Sequence, residues 1–418
     1  MIKRTKILLT LCSCLASMFG TVQTQIFAQP LQIDSPNVMP FTIQGDIQGL
    51  MSDDTLHFEG ITIPGFKLDS AFDVIVEKPN KFTYSGLHEH IEYLMMSYKP
   101  VSGEVTPNDR RGLTMLIKDD TTHLTGTTDQ IYYCQLKGGL YDNDALQEAL
   151  QLETSLGKER GNLMRLIEEA HIAKDSVKEK EYSNKFNTFD FDRKEDFQKL
   201  SHLNNEFYEK YPSSDHTIVD ALQRVNSAPF ESSLSKYEKM NDDAQNSYFG
   251  KILKREIDKM SILQPGNDAP VFHLTAIDGK EITLGDCAGS YVLIYYWGMC
   301  PGSLMIDNEV IDLYNKYKDK LIVIGITDGI ENIKTAYDNL PPNSKFMNFE
   351  LKPILENMLA HPWFDAEKTG DNGKIETDYG FAGLPYFVFI SPEGKIIARD
   401  FQKAFYVTKD TMESKFGK

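Results

Sequence analysis

The sequence is poor in cysteine, poor in basic residues relative to acidic ones, and nearly without long apolar runs. Only 5 of its 418 residues are cysteine, and 61 acidic residues outnumber 44 lysines and arginines, giving a formal net charge of −17. This charge repels nucleic acid and anionic membrane surfaces, so neither is predicted as a partner. The content of 41% hydrophobic and 25% charged residues is typical of a globular protein. The length indicates about two or three domains.

The longest apolar stretch lies at the N-terminus and has the features of an export signal. Three basic residues precede the mostly apolar residues 7–22, and Ala28 offers a cleavage point. The stretch is short and interrupted by Ser and Thr, which makes it a poor membrane span. We expect residues 1–28 to be a signal peptide and the protein to reach the periplasm or cell envelope. The alternative is a lipoprotein anchored at Cys14, and only then do we expect contact with a membrane.

The few cysteines limit what they can do together. Cleavage after Ala28 removes Cys12 and Cys14 and leaves three others. An odd number of cysteines in an oxidising compartment leaves at least one thiol free or paired with another molecule. A disulfide-stabilised scaffold is therefore excluded, whereas a redox site is not.

Three patterns follow one another along the chain and predict a multi-domain protein. Residues 35–142 alternate apolar and polar side chains in short runs, ending with a run at 130–134, which is typical of an antiparallel all-β sandwich or barrel. Residues 143–262 show helical spacing and predict an α-helical connector. In residues 264–418, strand and helix patterns alternate, so an α/β domain with a central sheet is predicted.

Cys300 lies between a strand and a helix of this α/β region. Residues 292–296 form a continuous apolar run, the pattern of a buried central strand. Pro301 favours the start of a helix directly after Cys300. The N-terminus of a helix stabilises a thiolate, which is the nucleophilic form of cysteine. Ser303 is spaced so that its hydroxyl can hydrogen-bond this thiolate.

A series of short motifs runs through the α/β region in a fixed order. They are Asp268-Ala269-Pro270, Asp278-Gly279-Lys280, Trp297 to Cys300, Gly383-Leu384-Pro385 and Glu393-Gly394-Lys395. Together they resemble the envelope thiol–disulfide oxidoreductases of the thioredoxin-like family, which is related to alkyl hydroperoxide reductase and cytochrome c maturation proteins. The preceding β-rich segment resembles an N-terminal extension of unknown function found in that family.

The resemblance implies a fold and a set of site residues. Residues 264–418 are expected to adopt the thioredoxin-like fold. Pro385 is expected to be a cis-proline that faces Cys300, with Leu384 pairing with the substrate. Trp297, Pro301 and Gly302, which surround the cysteine, are expected to contact the substrate as well. Trp297 is also interpreted as a packing residue beside the active-site loop that shapes access to Cys300.

Position 303 departs from the family pattern. The family motif is Cys-x-x-Cys, and its second cysteine releases the partner from a mixed disulfide, which Ser303 cannot do. The strand 292–296 also contains no carboxylate of the kind that assists proton transfer in thioredoxins. Cys287 is an alternative resolving thiol, although both it and Cys134 are expected to be core residues.

These observations predict a single-cysteine mechanism. Cys300 is expected to attack a disulfide in a protein or small molecule, and an external reducing thiol is expected to resolve the mixed disulfide. Two alternatives stay open. One is a catalytically degenerate binding module, and the other is a thiol peroxidase, which Trp297 disfavours because peroxidases carry threonine at that position.

No cofactor and no metal are predicted. His88 and His90 share a strand face but have no third ligand at a suitable spacing, so a solvated face is the preferred interpretation. His361 is interpreted as a surface or packing residue.

Overall fold

The computed structural model describes residues 38–62, 70–103, 112–340, 344–346 and 349–417. The predicted signal peptide, Cys12 and Cys14 lie outside them. Val38–Lys418 forms one unit of the structure. Within the described ranges, no helix has both the length and the apolarity needed to cross a bilayer.

Two four-stranded sheets come first along the chain. Their strands are β1 Met39–Gln48, β2 Thr55–Gly60, β3 Ala71–Ile75, β4 Lys81–His88, β5 Glu92–Lys99, β6 Leu113–Ile117, β7 Thr121–Thr127 and β8 Gln135–Lys137. The strand orders are β4-β1-β7-β8 and β3-β2-β5-β6. Alternate residues of both sheets, such as Ile43 and Phe58, are buried in one apolar core. Two sheets that share a core have the layering of a sandwich.

Two details of these sheets differ from the prediction. β1 pairs with β7 in parallel, so the first sheet is mixed rather than antiparallel. Residues 130–134 do not form a strand, because Thr128–Tyr133 is a 3₁₀ helix. Its residues Ile131, Tyr132 and Tyr133 are all buried. A half-buried strand hides only alternate side chains, so burial of three in a row suits a helical turn.

His88, the last residue of β4, and His90, which follows the strand, are not on a solvated face, so that interpretation is wrong. His88 is 5% exposed, and its Nδ1 meets the carbonyl of His90. The His90 ring stacks on Tyr248 with 3.8 Å between ring centroids. In the part of the chain that the structure describes, no group of three or more His, Cys, Asp or Glu residues is arranged to hold a metal.

Seven helices then follow. They are α1 Asp144–Ile172, α2 Ser176–Asp192, α3 Lys194–Lys210, α4 Asp215–Arg224, α5 Phe230–Glu238, α6 Asp242–Asn246 and α7 Tyr248–Ile262. Asn143 caps α1, as its side chain accepts hydrogen bonds from the amides of Ala145 and Leu146. Phe207 of α3 packs into the core of the two sheets, so the helices share apolar surface with them.

The last part alternates strands and helices. Its elements are β9 His273–Thr275, β10 Glu281–Thr283, β11 Tyr291–Trp297, α8 Pro301–Tyr317, β12 Leu321–Thr327, α9 Ile330–Asp338, β13 Lys345–Phe346, β14 Phe349–Glu350, α10 Leu351–Leu359, β15 Phe364–Glu367, α11 Lys374–Tyr379, β16 Tyr386–Ile390, β17 Ile396–Asp400 and α12 Lys403–Phe416. Five of the strands form a sheet of order β15-β12-β11-β16-β17. β11, β12 and β15 are parallel, and β16 is antiparallel to β11.

The central strand of this sheet is β11. All seven of its residues are buried, as expected for a strand that is covered on both faces. Helix α8 connects β11 to its parallel neighbour β12 and packs Val310 and Leu313 against the sheet. This order of strands and helices is the predicted thioredoxin-like fold, and it places Cys300 where β11 ends and α8 begins.

Candidate active site

Cys300 is the residue that caps helix α8. Its backbone is extended, with φ −129° and ψ 157°, and its Sγ accepts a hydrogen bond from the Ser303 amide at 3.4 Å. Pro301 occupies the first turn of the helix, as predicted. The Cys300 residue is half-buried, so the thiol lies at the protein surface. The amides of the first helical turn and the helix dipole favour a negative charge at this point.

Ser303 lies directly behind the thiol. Its side chain is fully buried, and its Oγ accepts hydrogen bonds from the Cys300 thiol at 3.2 Å and from the Gly298 amide at 3.4 Å. A hydroxyl can turn and donate instead, so Ser303 can also stabilise a thiolate. The structure therefore brings Cys300 and Ser303 together as the sequence predicted.

Pro385 packs against the residues around Cys300. The Leu384–Pro385 peptide bond is cis, as the resemblance implied. A Cβ atom added at Gly302 would lie 2.5 Å from Pro385 Cδ, so this close approach requires glycine. Leu384 is half-buried and Pro301 is exposed, which leaves both accessible to a substrate beside the thiol.

Trp297 does not reach the surface, so the predicted substrate contact at this residue is wrong. Its exposed fraction is 0%, and its indole Nε1 donates to Asp365 Oδ1 at 3.0 Å. The position is the last of β11, whose residues are buried on both faces of the sheet. Trp297 therefore packs beneath the active-site loop.

The other two described thiols lie away from Cys300. Cys134 is buried in the core of the two N-terminal sheets, and burial raises its pKa to about 12. Cys287 is buried in a short turn before β11, and burial together with Asp286 raises its pKa to about 11. Cys300 follows the opposite end of β11, and a seven-residue strand spans roughly 20 Å. The structure thus does not bring Cys287 together with Cys300.

A cluster of three charged side chains lies beneath Trp297: the buried Asp307 and His361, and Asp365, whose side chain is 13% exposed. The His361 Nε2 is 3.0 Å from Asp307 Oδ1, and its Nδ1 is 2.8 Å from Asp365 Oδ2. The side chains of His361 and Asp307 are 1% and 0% exposed. Both ring nitrogens face carboxylate oxygens and must donate, so His361 is an imidazolium. Burial alone would lower the pKa of His361, but Asp307 and Asp365 outweigh it and raise the pKa to about 9.

Tyr295 contacts this cluster. Its hydroxyl donates to Asp307 Oδ1 at 3.2 Å. Burial and the charge of Asp307 hold the pKa of Tyr295 well above its ordinary value, so the hydroxyl stays neutral.

Comparison with known proteins assigns the family. The thiol-disulfide oxidoreductase ResA of Bacillus cereus is 31% identical over 154 residues, which cover 36% of this chain and 72% of that protein. The chain belongs to the ResA-like thiol-disulfide oxidoreductases. ResA of Bacillus thuringiensis subsp. konkukian is 32% identical over 154 residues, covering 36% of this chain and 74% of that protein. No protein-family model matches the chain.

Two solved structures are also similar to part of this ResA-like chain. The thioredoxin domain of a thiol-disulfide oxidoreductase from Bacteroides vulgatus has 22% sequence identity and a TM-score of 0.27, covering 36% of this chain and 97% of that one. A thiol:disulfide interchange protein from Bacteroides sp. has 22% identity and a TM-score of 0.27, covering 37% and 91%.

Sequence reasoning missed the residues that lie behind the thiol in this ResA-like site. The sequence pattern presents Tyr295 as part of an apolar run and predicts His361 as a surface or packing residue, whereas the His361 side chain is buried and charged. One signal was present in the sequence. Asp307 follows Ser303 by four residues and precedes Val310 by three, so it lies on the core-facing side of α8. A carboxylate on an apolar helix face requires a partner, which here is His361.

Proposed function

We propose that this ResA-like protein exchanges disulfides through Cys300 alone. The observation that carries the proposal is the helix-capping thiol with the Ser303 hydroxyl 3.2 Å away, where the family places a second cysteine. The Cys300 thiolate attacks a disulfide R–S–S–R′, forms Cys300–S–S–R and releases R′S⁻. The thiolate of an external thiol R″SH then attacks the sulfur of R, gives R–S–S–R″ and restores Cys300.

The electrons balance over these two steps. R′ is reduced to a thiol, R″ is oxidised into the new disulfide, and Cys300 returns unchanged. Because the second step needs a separate molecule, the reaction suits disulfide shuffling or removal of a small-thiol adduct better than rapid net reduction.

The surface next to Cys300 favours a peptide disulfide as the substrate. Met299 is 53% exposed, and Leu384 is half-buried with its side chain against Gly298. These apolar side chains offer contact area to a peptide segment that carries a disulfide.

The decisive test uses a full-length variant in which Cys300 is the sole cysteine, compared with Cys300→Ala in the otherwise unchanged protein. We expect the sole-cysteine variant to catalyse exchange between a peptide–glutathione mixed disulfide and free glutathione. We expect Cys300→Ala to fall to the uncatalysed rate, because the thiolate is the nucleophile. Mass spectrometry of the quenched reaction should find the mixed disulfide on Cys300.

Three outcomes would overturn this proposal. Exchange that persists in Cys300→Ala would assign the reaction to another thiol. A wild-type thiol that reacts with the mixed disulfide no faster than free cysteine would favour the binding-module alternative, in which the N-terminal sheets and helices bind a partner. Rapid conversion of Cys300 to a sulfenic acid by dilute peroxide would instead favour a peroxidase.

We further propose that the protein works in the periplasm or cell envelope. The basic start, the apolar residues 7–22 and the cleavage point at Ala28 support export. Intact mass of the protein recovered from an envelope fraction should show the loss of residues 1–28. A diacylglycerol group on Cys14 would establish the lipoprotein alternative, and an unprocessed N-terminus in the cytoplasm would contradict export.

A further inference from the structure

We propose that a cavity beside the cis-proline loop binds the polypeptide segment that adjoins the substrate disulfide. The cavity lies between the end of α4 and α7 on one side and α11 with residues 380–382 on the other, and its volume is about 350 Å³. This volume is within the usual range of ligand sites. The inference rests on the proposed function and specifies its substrate class, which is a disulfide carried by a polypeptide rather than by a small molecule.

The cavity is connected to the thiol by the loop that precedes Pro385. Ala382 lines the cavity, and two residues further on the Leu384 side chain lies against Gly298 of the active-site loop. Two extended residues span at most about 7 Å. A peptide that runs beside this loop with its disulfide at Cys300 therefore reaches the cavity within about three to five residues of its cysteine.

The walls of the cavity combine hydrogen-bonding and apolar groups. Ser227, which follows α4, and Thr377 of α11 are exposed residues that contribute hydroxyls. Met260 of α7 and Phe381 contribute apolar surface. A polypeptide carries a hydrogen-bond donor and an acceptor at nearly every residue of its main chain, and its side chains add apolar area. This lining therefore suits an extended peptide segment.

The charges of the cavity disfavour small anionic disulfides such as that of glutathione. Glu256 and Glu376 both line the cavity. Glu256 pairs with Lys259 at 3.0 Å, and Glu376 pairs with Lys368 at 3.0 Å. Because these lysines already face carboxylates, they are poor partners for a carboxylate of glutathione. The net charge of −17 adds repulsion of an anion, whereas an uncharged peptide segment meets none.

The loop that forms one wall is held in place by the sheet and by α7. The Phe381 ring stacks on Tyr296 with 4.9 Å between ring centroids, and Arg399 Nη2 donates to the Gly380 carbonyl at 3.1 Å. Gly380 has φ 59°, and a Cβ atom added there would lie 2.5 Å from Met260 Cε. A wall that is already formed loses little conformational entropy when a ligand binds. The helices before the active-site sheet thus contribute to substrate selection.

The test compares two disulfides of thionitrobenzoate in the full-length protein that has Cys300 as its sole cysteine. One carries an uncharged peptide of about eleven residues, rich in serine, glutamine and leucine, which extends about 17 Å to each side of its central cysteine. The other carries only a capped cysteine. The Cys300 thiolate attacks the cysteine sulfur of either compound, a new disulfide forms, and coloured thionitrobenzoate leaves with the electron pair. This single attack needs no external thiol.

We expect the second-order rate constant for the peptide disulfide to exceed that for capped cysteine by at least about tenfold, after division by the same ratio for free glutathione as the attacking thiol. Ser227→Trp places a bulky side chain in the cavity and should reduce this preference to near one. Ser235→Trp makes the same change at an exposed position of α5 and is the matched control, which should retain the preference. If Ser227→Trp does not fold, Thr377→Trp fills the cavity from α11 and should have the same effect.

A preference for the peptide that survives in the folded cavity variants would overturn the inference, and so would a parent protein without the preference. Equal loss of the preference in Ser235→Trp would contradict it as well, because the effect would then not depend on the cavity. Failure of the proposed function is a different result, namely absence of catalysed turnover with an external thiol even where the single attack on the peptide disulfide is fast.

Discussion

Ser303→Cys is expected to convert slow, externally resolved exchange into rapid dithiol chemistry. Ser303 Oγ lies 3.2 Å from Cys300 Sγ, so a sulfur in its place needs only a small movement to form a disulfide. Attack within one molecule replaces attack by a dilute external thiol, and aligned intramolecular reactions have very large effective molarities. We expect release of a peptide thiol from the Cys300 mixed disulfide to accelerate by on the order of 10³-fold or more.

The measurement is stopped-flow release of a fluorescent peptide from the preformed mixed disulfide, without added thiol. Ser303→Ala is the control, since it removes the hydroxyl without supplying sulfur and should release nothing. The expected product of the Ser303→Cys variant is a disulfide between positions 300 and 303. The expectation fails if release from this variant still requires external thiol in proportion to its concentration.

The second large effect is a loss of stability at alkaline pH. The pKa of His361 is about 9 in the folded protein and about 6.5 in an unfolded chain. A pKa that is raised on folding stabilises the protein fully below the unfolded value, and this stability is lost as pH rises through the folded value. The difference corresponds to about 3 kcal/mol of unfolding free energy lost between about pH 6.5 and pH 9.

Urea unfolding followed by tryptophan fluorescence measures this directly. The chain has 2 tryptophans, and both Trp297 and Trp363 donate to Asp365 of the cluster. His361→Gln is the control, because an amide does not take up a proton in this range. It should be less stable than the parent at pH 6.5 and should lack the alkaline decrease. An equal decrease in both proteins would show that other groups cause it.

The parts that the sequence predicted are those governed by neighbouring residues. The run 292–296 became β11 because every one of its side chains could be buried, and Pro301 marked the first turn of α8 because proline suits that position. The contact between Ser303 and Cys300 is likewise determined by local spacing, since residues three apart at a helix lie close together.

The parts that were missed depend on distant segments or on weak periodicity. Helix α2 buries only Phe189 among its side chains, so no apolar stripe in the sequence marks its bounds within the predicted α-helical connector. The parallel pairing of β1 with β7 joins strands about 80 residues apart, and no local pattern encodes it. His361 lies 54 residues from Asp307, and only the folded chain shows that they touch.

The site is formed by two separate segments of the chain, and this determines how much of the chain is needed to transfer the site to another protein. The thiol, its serine and one acid belong to residues 295–307, while the imidazolium and the second carboxylate belong to residues 361–365 on the far side of β12, α9 and α10. A graft of the Cys300–Ser303 tetrapeptide onto another scaffold would carry the nucleophile without the Asp307–His361–Asp365 cluster that lies beneath Trp297. The smallest segment that contains both parts of the site runs from β11 to β15. A shorter graft would place Cys300 in different surroundings, and we expect its thiol to react differently.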